Sequence, residues 1–129
     1  MDFVHRAVAA AVARSERILG VVADASALPF APESFDAIVC VSFLDRSLFA
    51  LFAGMLKPGG ALVYETFTLA HLDVVARGNA RGPRSAGYLL EAGELATLVS
   101  PLVVQEHDEG LVVDDAGERH VARVMALKQ

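Results

Sequence analysis

Tryptophan is absent from the 129 residues, and cysteine occurs once, as Cys40. A lone cysteine excludes an intrachain disulfide and a cysteine-built metal cluster, and it fits a reducing cytoplasm, the expected location. The four histidines, His5, His71, His107 and His120, show no metal-ligand spacing, so no metal site is expected. Long apolar runs are also missing: none reaches the roughly 18 residues that cross a bilayer, and no membrane partner is expected. The opening MDFVHRAVAAAVARSER carries recurring charges and no cleavage-site pattern, which argues against a secretory signal. Positive charge is scarce. Eleven Lys and Arg stand against sixteen Asp and Glu, a net charge of −5, so a grip on nucleic-acid phosphates is not expected. No G-x-G-x-x-G follows a strand, which weighs against a nicotinamide- or flavin-binding domain.

What is present is apolar. Hydrophobic residues make up 54% of the chain and charged ones 21%, as in a folded core. The length suits one domain over residues 1–129. A mean hydropathy of +0.46 points to strands covered on both faces, or to surface hidden by a partner.

Apolar spacing predicts an amphipathic helix over residues 4–17, followed by a short branched strand, residues 18–23, that ends at Asp24. ASALPFAPES supplies a loop. A second buried strand is predicted over residues 35–42 and a helix over residues 47–56. Lys57-Pro58-Gly59-Gly60 should stop that helix before a third strand, residues 61–67. RGNARGPRSAG is too polar for core. A helix over residues 91–99 follows, then strands at 102–105 and 121–127 joined by an acidic turn-rich segment, residues 108–119. The order predicts an α/β domain with a parallel sheet.

VVADASALPFAPESFDAIVCVSFL and LKPGGALVYETF, in this order and spacing, resemble the middle of class I S-adenosylmethionine-dependent methyltransferases. RGPRSAGYLLEAGEL is a looser match to a small branch related to tellurite-resistance methyltransferases. The resemblance implies a Rossmann-like, mostly parallel sheet with an antiparallel C-terminal strand. It implies S-adenosylmethionine as cofactor and methyl transfer to a small-molecule acceptor. The family's first strand and glycine-rich loop have no counterpart here. The expectation is therefore a single partial domain, truncated at its amino terminus and with little catalysis of its own. The alternative is a non-catalytic remnant serving as an interaction module, with homo-oligomers formed through an exposed sheet edge.

By resemblance, Asp24 accepts from the adenine amino group, Ala25 donates its backbone N–H to the ring, and Leu28 offers apolar contact. A turn cap is the alternative for Asp24. Asp2, 22 residues before Asp24, stands where the family places a ribose-binding acid, or else caps a terminal helix. Ser42 and Phe43 fall where the family contacts the sulfonium, which an aromatic face attracts; Phe43 as a core residue stays open. Glu65 is the candidate for orienting an acceptor or acting as base. Arg77, Arg81 and Arg84 could clamp an anionic substrate, or simply be a solvated loop.

Overall fold

In the computed structural model the described residues are 31–78, 82–115 and 117–129, which belong to one unit, Ala31–Gln129. The predicted helix over 4–17 and strand over 18–23 lie outside them.

The branched run after Phe35 forms β1 (Phe35–Val41). A short turn of 3-10 helix, Arg46–Leu48, leads into α1 (Phe49–Met55), whose Phe49 and Phe52 are buried. Then β2 (Leu56–Phe67), α2 (His71–Ala76), α3 (Glu94–Leu98), β3 (Val103–Asp114) and β4 (Gly117–Leu127) follow.

The sheet order is β1-β2-β4-β3. β1 and β2 are parallel, while β4 runs antiparallel to both β2 and β3. Three strands therefore share one direction and the C-terminal strand is the reversed one, inserted between β2 and β3. This is the predicted mostly parallel sheet with an antiparallel C-terminal strand.

Alternation along β2 and β4 separates two faces. Leu62, Tyr64 and Thr66 lie on the same face as Ala122, Val124 and Ala126 of the paired strand, and all six are buried. The rings of Phe49 and Phe52 pack on Tyr64, with centroids 4.7 and 6.1 Å away. The opposite face keeps Val39 67% exposed and Val41 54% exposed, beside the 40% exposed Val63 paired with Val39.

Several expectations change. The strand expected to be buried, residues 35–42, is not covered on both faces: Val39 and Val41 are exposed on one of them. Lys57-Pro58-Gly59-Gly60 ends the helix as predicted, yet lies within β2, because Gly59 N–H and Gly60 C=O bond the backbone of Lys128. Gly59 has φ +83°, and a Cβ on Gly60 would sit 2.8 Å from the Lys57 carbonyl oxygen. Both positions thus require glycine. The acidic segment at 108–119 is mostly strand rather than turn, with pairing running down to Asp114↔Gly117. An ion pair from Arg119 to Asp114, 2.6 Å, closes that end. α2 appears in a stretch for which no helix or strand is predicted, and the helix predicted over 91–99 is shorter, since Gly93 at φ +76° precedes it.

Candidate active site at the carboxyl ends of the parallel strands

In open parallel sheets ligands gather outside the carboxyl ends of the strands. β1 ends there on Val41, and the next residue, Ser42, is a residue with a side chain held at φ +57°. The left-handed conformation is costly for any residue but glycine, by about 1–3 kcal/mol, and tends to mark functional sites. Ser42 keeps one tie to the sheet, its N–H bonding the Glu65 carbonyl at 2.8 Å. The chain then turns, and the Tyr64 hydroxyl donates to the Phe43 carbonyl.

Burial raises the pKa of the Tyr64 phenol, and nearby Cys40 and Asp45 add to the rise. Burial also raises the Cys40 thiol, opposed in part by the neighbouring Tyr64 side chain. Both groups stay neutral at pH 7, so this pair is scaffold beneath the site rather than a nucleophile.

Above it lies a pocket of about 160 Å³ lined by Ser42, Phe43, Leu44, Thr66, Phe67, Pro83 and Tyr88. Three of the lining residues, Ser42, Thr66 and Tyr88, carry a hydroxyl, three carry an aromatic ring, and none is charged. A larger depression of about 310 Å³, bordered by Val63, Glu106, Asp108, Arg123 and Met125, crosses β2, β4 and β3. It lies away from the strand ends, so the smaller pocket is the better candidate on chemical grounds.

The loop that closes the pocket is tied at both ends. Leu90 bridges Thr68, and its N–H bonds the Phe67 carbonyl at 3.0 Å. At Gly82, φ +132°, an added Cβ would sit 2.8 Å from His71 Nε2 and 3.1 Å from the Phe67 ring. His71 is fully buried, and its Nδ1 accepts from the backbone N–H of His120 at 3.1 Å. That bond makes Nδ1 the acceptor of the ring and leaves Nε2 as its donor. His120 Nδ1 in turn lies 2.6 Å from the Thr68 hydroxyl.

Of the residues singled out by sequence, the structure brings Ser42 and Phe43 together in the pocket wall. Asp2, Asp24, Ala25, Leu28 and Arg81 lie outside the described residues. Glu65 faces Arg123 across the β2–β4 ladder, 2.9 Å from Oε1 to Nε, and does not line the pocket. Arg77 sits 3.5 Å from Glu118, an exposed pair. Arg84 is exposed and follows Pro83 of the wall. Thr66, Phe67, Pro83 and Tyr88 were not singled out. The first two follow from position alone, at the carboxyl end of β2. Tyr88, an aromatic within a glycine-rich loop, was the one residue-level signal. Among the described residues, no group of three His, Cys, Asp or Glu side chains could hold a metal ion.

Residues 1–64 match a family model described as a methyltransferase domain. No curated protein sequence matches the chain. A SAM-dependent methyltransferase from Methanosarcina mazei superposes with a TM-score of 0.66 at 21% identity, over 93% of this chain and 75% of that one. The N-methyltransferase NodS from Bradyrhizobium japonicum WM9, in complex with S-adenosyl-L-homocysteine, gives 0.55 at 21%, over 94% and 62%. The 4+2 cyclase SpnF gives 0.66 at 19%, over 95% and 61%. The fold is that of Rossmann-like methyltransferases. SpnF is a reminder that enzymes named for other chemistry share it.

Proposed function

We propose that this chain is an S-adenosylmethionine-dependent methyltransferase acting on a small-molecule acceptor. The observation that carries the reading is the pocket of Ser42, Phe43, Leu44, Thr66, Phe67, Pro83 and Tyr88 at the strand ends. Its fold and the methyltransferase-domain match over residues 1–64 supply the donor. In this reading Asp24, Ala25 and Leu28 hold the adenine, Asp2 the ribose, and Ser42 and Phe43 the sulfonium end. When bound, the cofactor supplies an electrophilic methyl group. The residues of this chain then contribute positioning and exclusion of water, which can account for much of such a rate enhancement. Phe43 would hold the sulfonium end through the attraction of an aromatic ring for a positive sulfur. Glu65, paired with Arg123, serves better as a structural carboxylate than as a base. Arg84, next to the wall, is the described arginine best placed to meet an anionic acceptor.

Narrower assignments belong to the same proposal: the tellurite-resistance-related branch, a cytoplasmic location, and no nucleic-acid or membrane partner. Exposed Val39, Val41 and Val63 favour a second reading, in which the chain also associates with itself.

Ultraviolet crosslinking of methyl-labelled S-adenosylmethionine tests the donor site. Label should map to the peptide carrying Ser42 and Phe43, should be blocked by S-adenosylhomocysteine, and should fall in Phe43→Ala. Label spread over the sheet and indifferent to the competitor would contradict the proposal.

A further inference from the structure

One side chain outside the pocket fixes its outer wall. The guanidinium of Arg46 donates from Nε to Glu94 Oε2 at 2.6 Å and from Nη2 to Glu94 Oε1 at 3.0 Å. Its Nη1 donates to the Gly87 carbonyl at 3.1 Å, and Nη2 also reaches the Leu89 carbonyl at 3.0 Å. The two carbonyls bracket Tyr88. Within the loop, Tyr88 N–H bonds the Ser85 carbonyl at 3.0 Å and Leu89 N–H bonds the Ala86 carbonyl at 3.2 Å. Tyr88 is thus pinned through its neighbours' backbone, while its residue surface stays 61% exposed at the edge of the pocket.

This arrangement is a clasp. Arg46 lies just beyond the segment that follows β1, three residues after Phe43, so it joins the inner wall to the outer one. A planar guanidinium forks onto a carboxylate and still has donors for carbonyls, which an ammonium cannot match in one geometry. Glu94 is held in place on its own side by the Glu91 N–H at 2.9 Å. A large aromatic left exposed on a backbone tied down this firmly is preorganised for contact.

We propose that Arg46 is a positioning residue that fixes Tyr88 as the aromatic contact for the acceptor. The proposal rests on the methyltransferase reading of this pocket, with the acceptor meeting the sulfonium end at Ser42 and Phe43 from the Tyr88 side. It implies an acceptor wider than the pocket itself, with a flat apolar part resting against Tyr88.

The test uses the chain's two tyrosines, Tyr64 and Tyr88, labelled as 3-fluorotyrosine, with p-cresol as the aromatic probe. In the wild type p-cresol should shift the Tyr88 resonance and leave that of buried Tyr64 in place. In Arg46→Ala the same shift should need at least about fivefold more p-cresol. Amide exchange across residues 86–90 should quicken by about tenfold or more, with β2 and β4 unchanged. Glu94→Gln, which retains the guanidinium–carbonyl bonds, should quicken exchange less. Arg46→Lys carries the same comparison if the alanine variant fails to fold, and should not restore the wild-type shift. Unchanged exchange at 86–90 in the folded variant, or a Tyr88 resonance that p-cresol does not move in the wild type, overturns the proposal. Titration of the wild type with S-adenosylhomocysteine reports on the donor assignment separately. Its failure beside the expected tyrosine results would contradict methyl transfer and leave the clasp standing.

Discussion

Ser42 carries more of the site's geometry than its size suggests. At φ +57° it occupies backbone space that a branched side chain tolerates poorly. Ser42→Val should therefore lower stability by about 1–3 kcal/mol in urea unfolding, whereas Ser42→Gly should cost nothing or raise stability slightly. Equal losses in both variants would mean that the hydroxyl, not the backbone, matters there. Sequence placed Ser42 and Phe43 beside the cofactor because a strand ended at them and a family resemblance ran through them. The left-handed turn itself was not legible, since serine carries no signal for it. Glu65 shows the opposite limit. Its place near the mouth of a strand was readable, but its partner Arg123 lies on β4, and only the antiparallel register brings the two together.

Elements with a local cause were the readable ones. β1, α1 and the core of β2 follow from apolar periodicity, and the end of α1 follows from Lys57-Pro58-Gly59-Gly60. The long β3–β4 hairpin was not, because EHDEG and DDAGERH look like solvated turn until the two strands pair. Pairing is non-local, and acidic residues on a sheet edge are a sequence pattern shared with loops. The loop of residues 82–90 is similar: its order comes from Arg46, 41 residues before Gly87. Glu94 gives that link a pH signature. The hydrogen bonds from Arg46 hold its carboxyl below the usual glutamate value. A lowered folded-state pKa contributes stability that is fully present above the ordinary value of about 4.3 and is lost as pH falls through the lower folded value. Protection of amides 86–90 should therefore hold from pH 7 to about 5 and decline below about 4. The pair is partly exposed, so its share of global stability should stay below about 1 kcal/mol. Loop protection that survives to the lowest pH at which the sheet persists would contradict this account.

At the scale of the whole molecule the sheet is asymmetric. One face is buried beneath α1 and its neighbours, while Val39, Val41 and Val63 stay exposed on the other. High mean hydropathy pointed to strands covered on both faces or to surface hidden by a partner, and said nothing of which face keeps Val39, Val41 and Val63 exposed. Among the described residues the sheet ends in β1 and β3. Glu106, His107, Asp108 and Glu109 on β3 discourage strand pairing along that edge, and the self-association proposed above is assigned to the exposed valine face. Light scattering should find the chain larger than 13.7 kDa, and Val39→Lys with Val63→Lys should return it to that mass. A wild type that is monomeric at high concentration would dismiss self-association. The donor site lies beyond such questions of assembly. Its most direct measurement is calorimetric titration of the folded chain with S-adenosylhomocysteine, run beside Asp24→Ala. We expect saturable binding that the substitution weakens by about tenfold or more, the worth of a charge-assisted hydrogen bond. A well-folded wild type that takes up no S-adenosylhomocysteine would contradict the assignment of this chain as a methyltransferase.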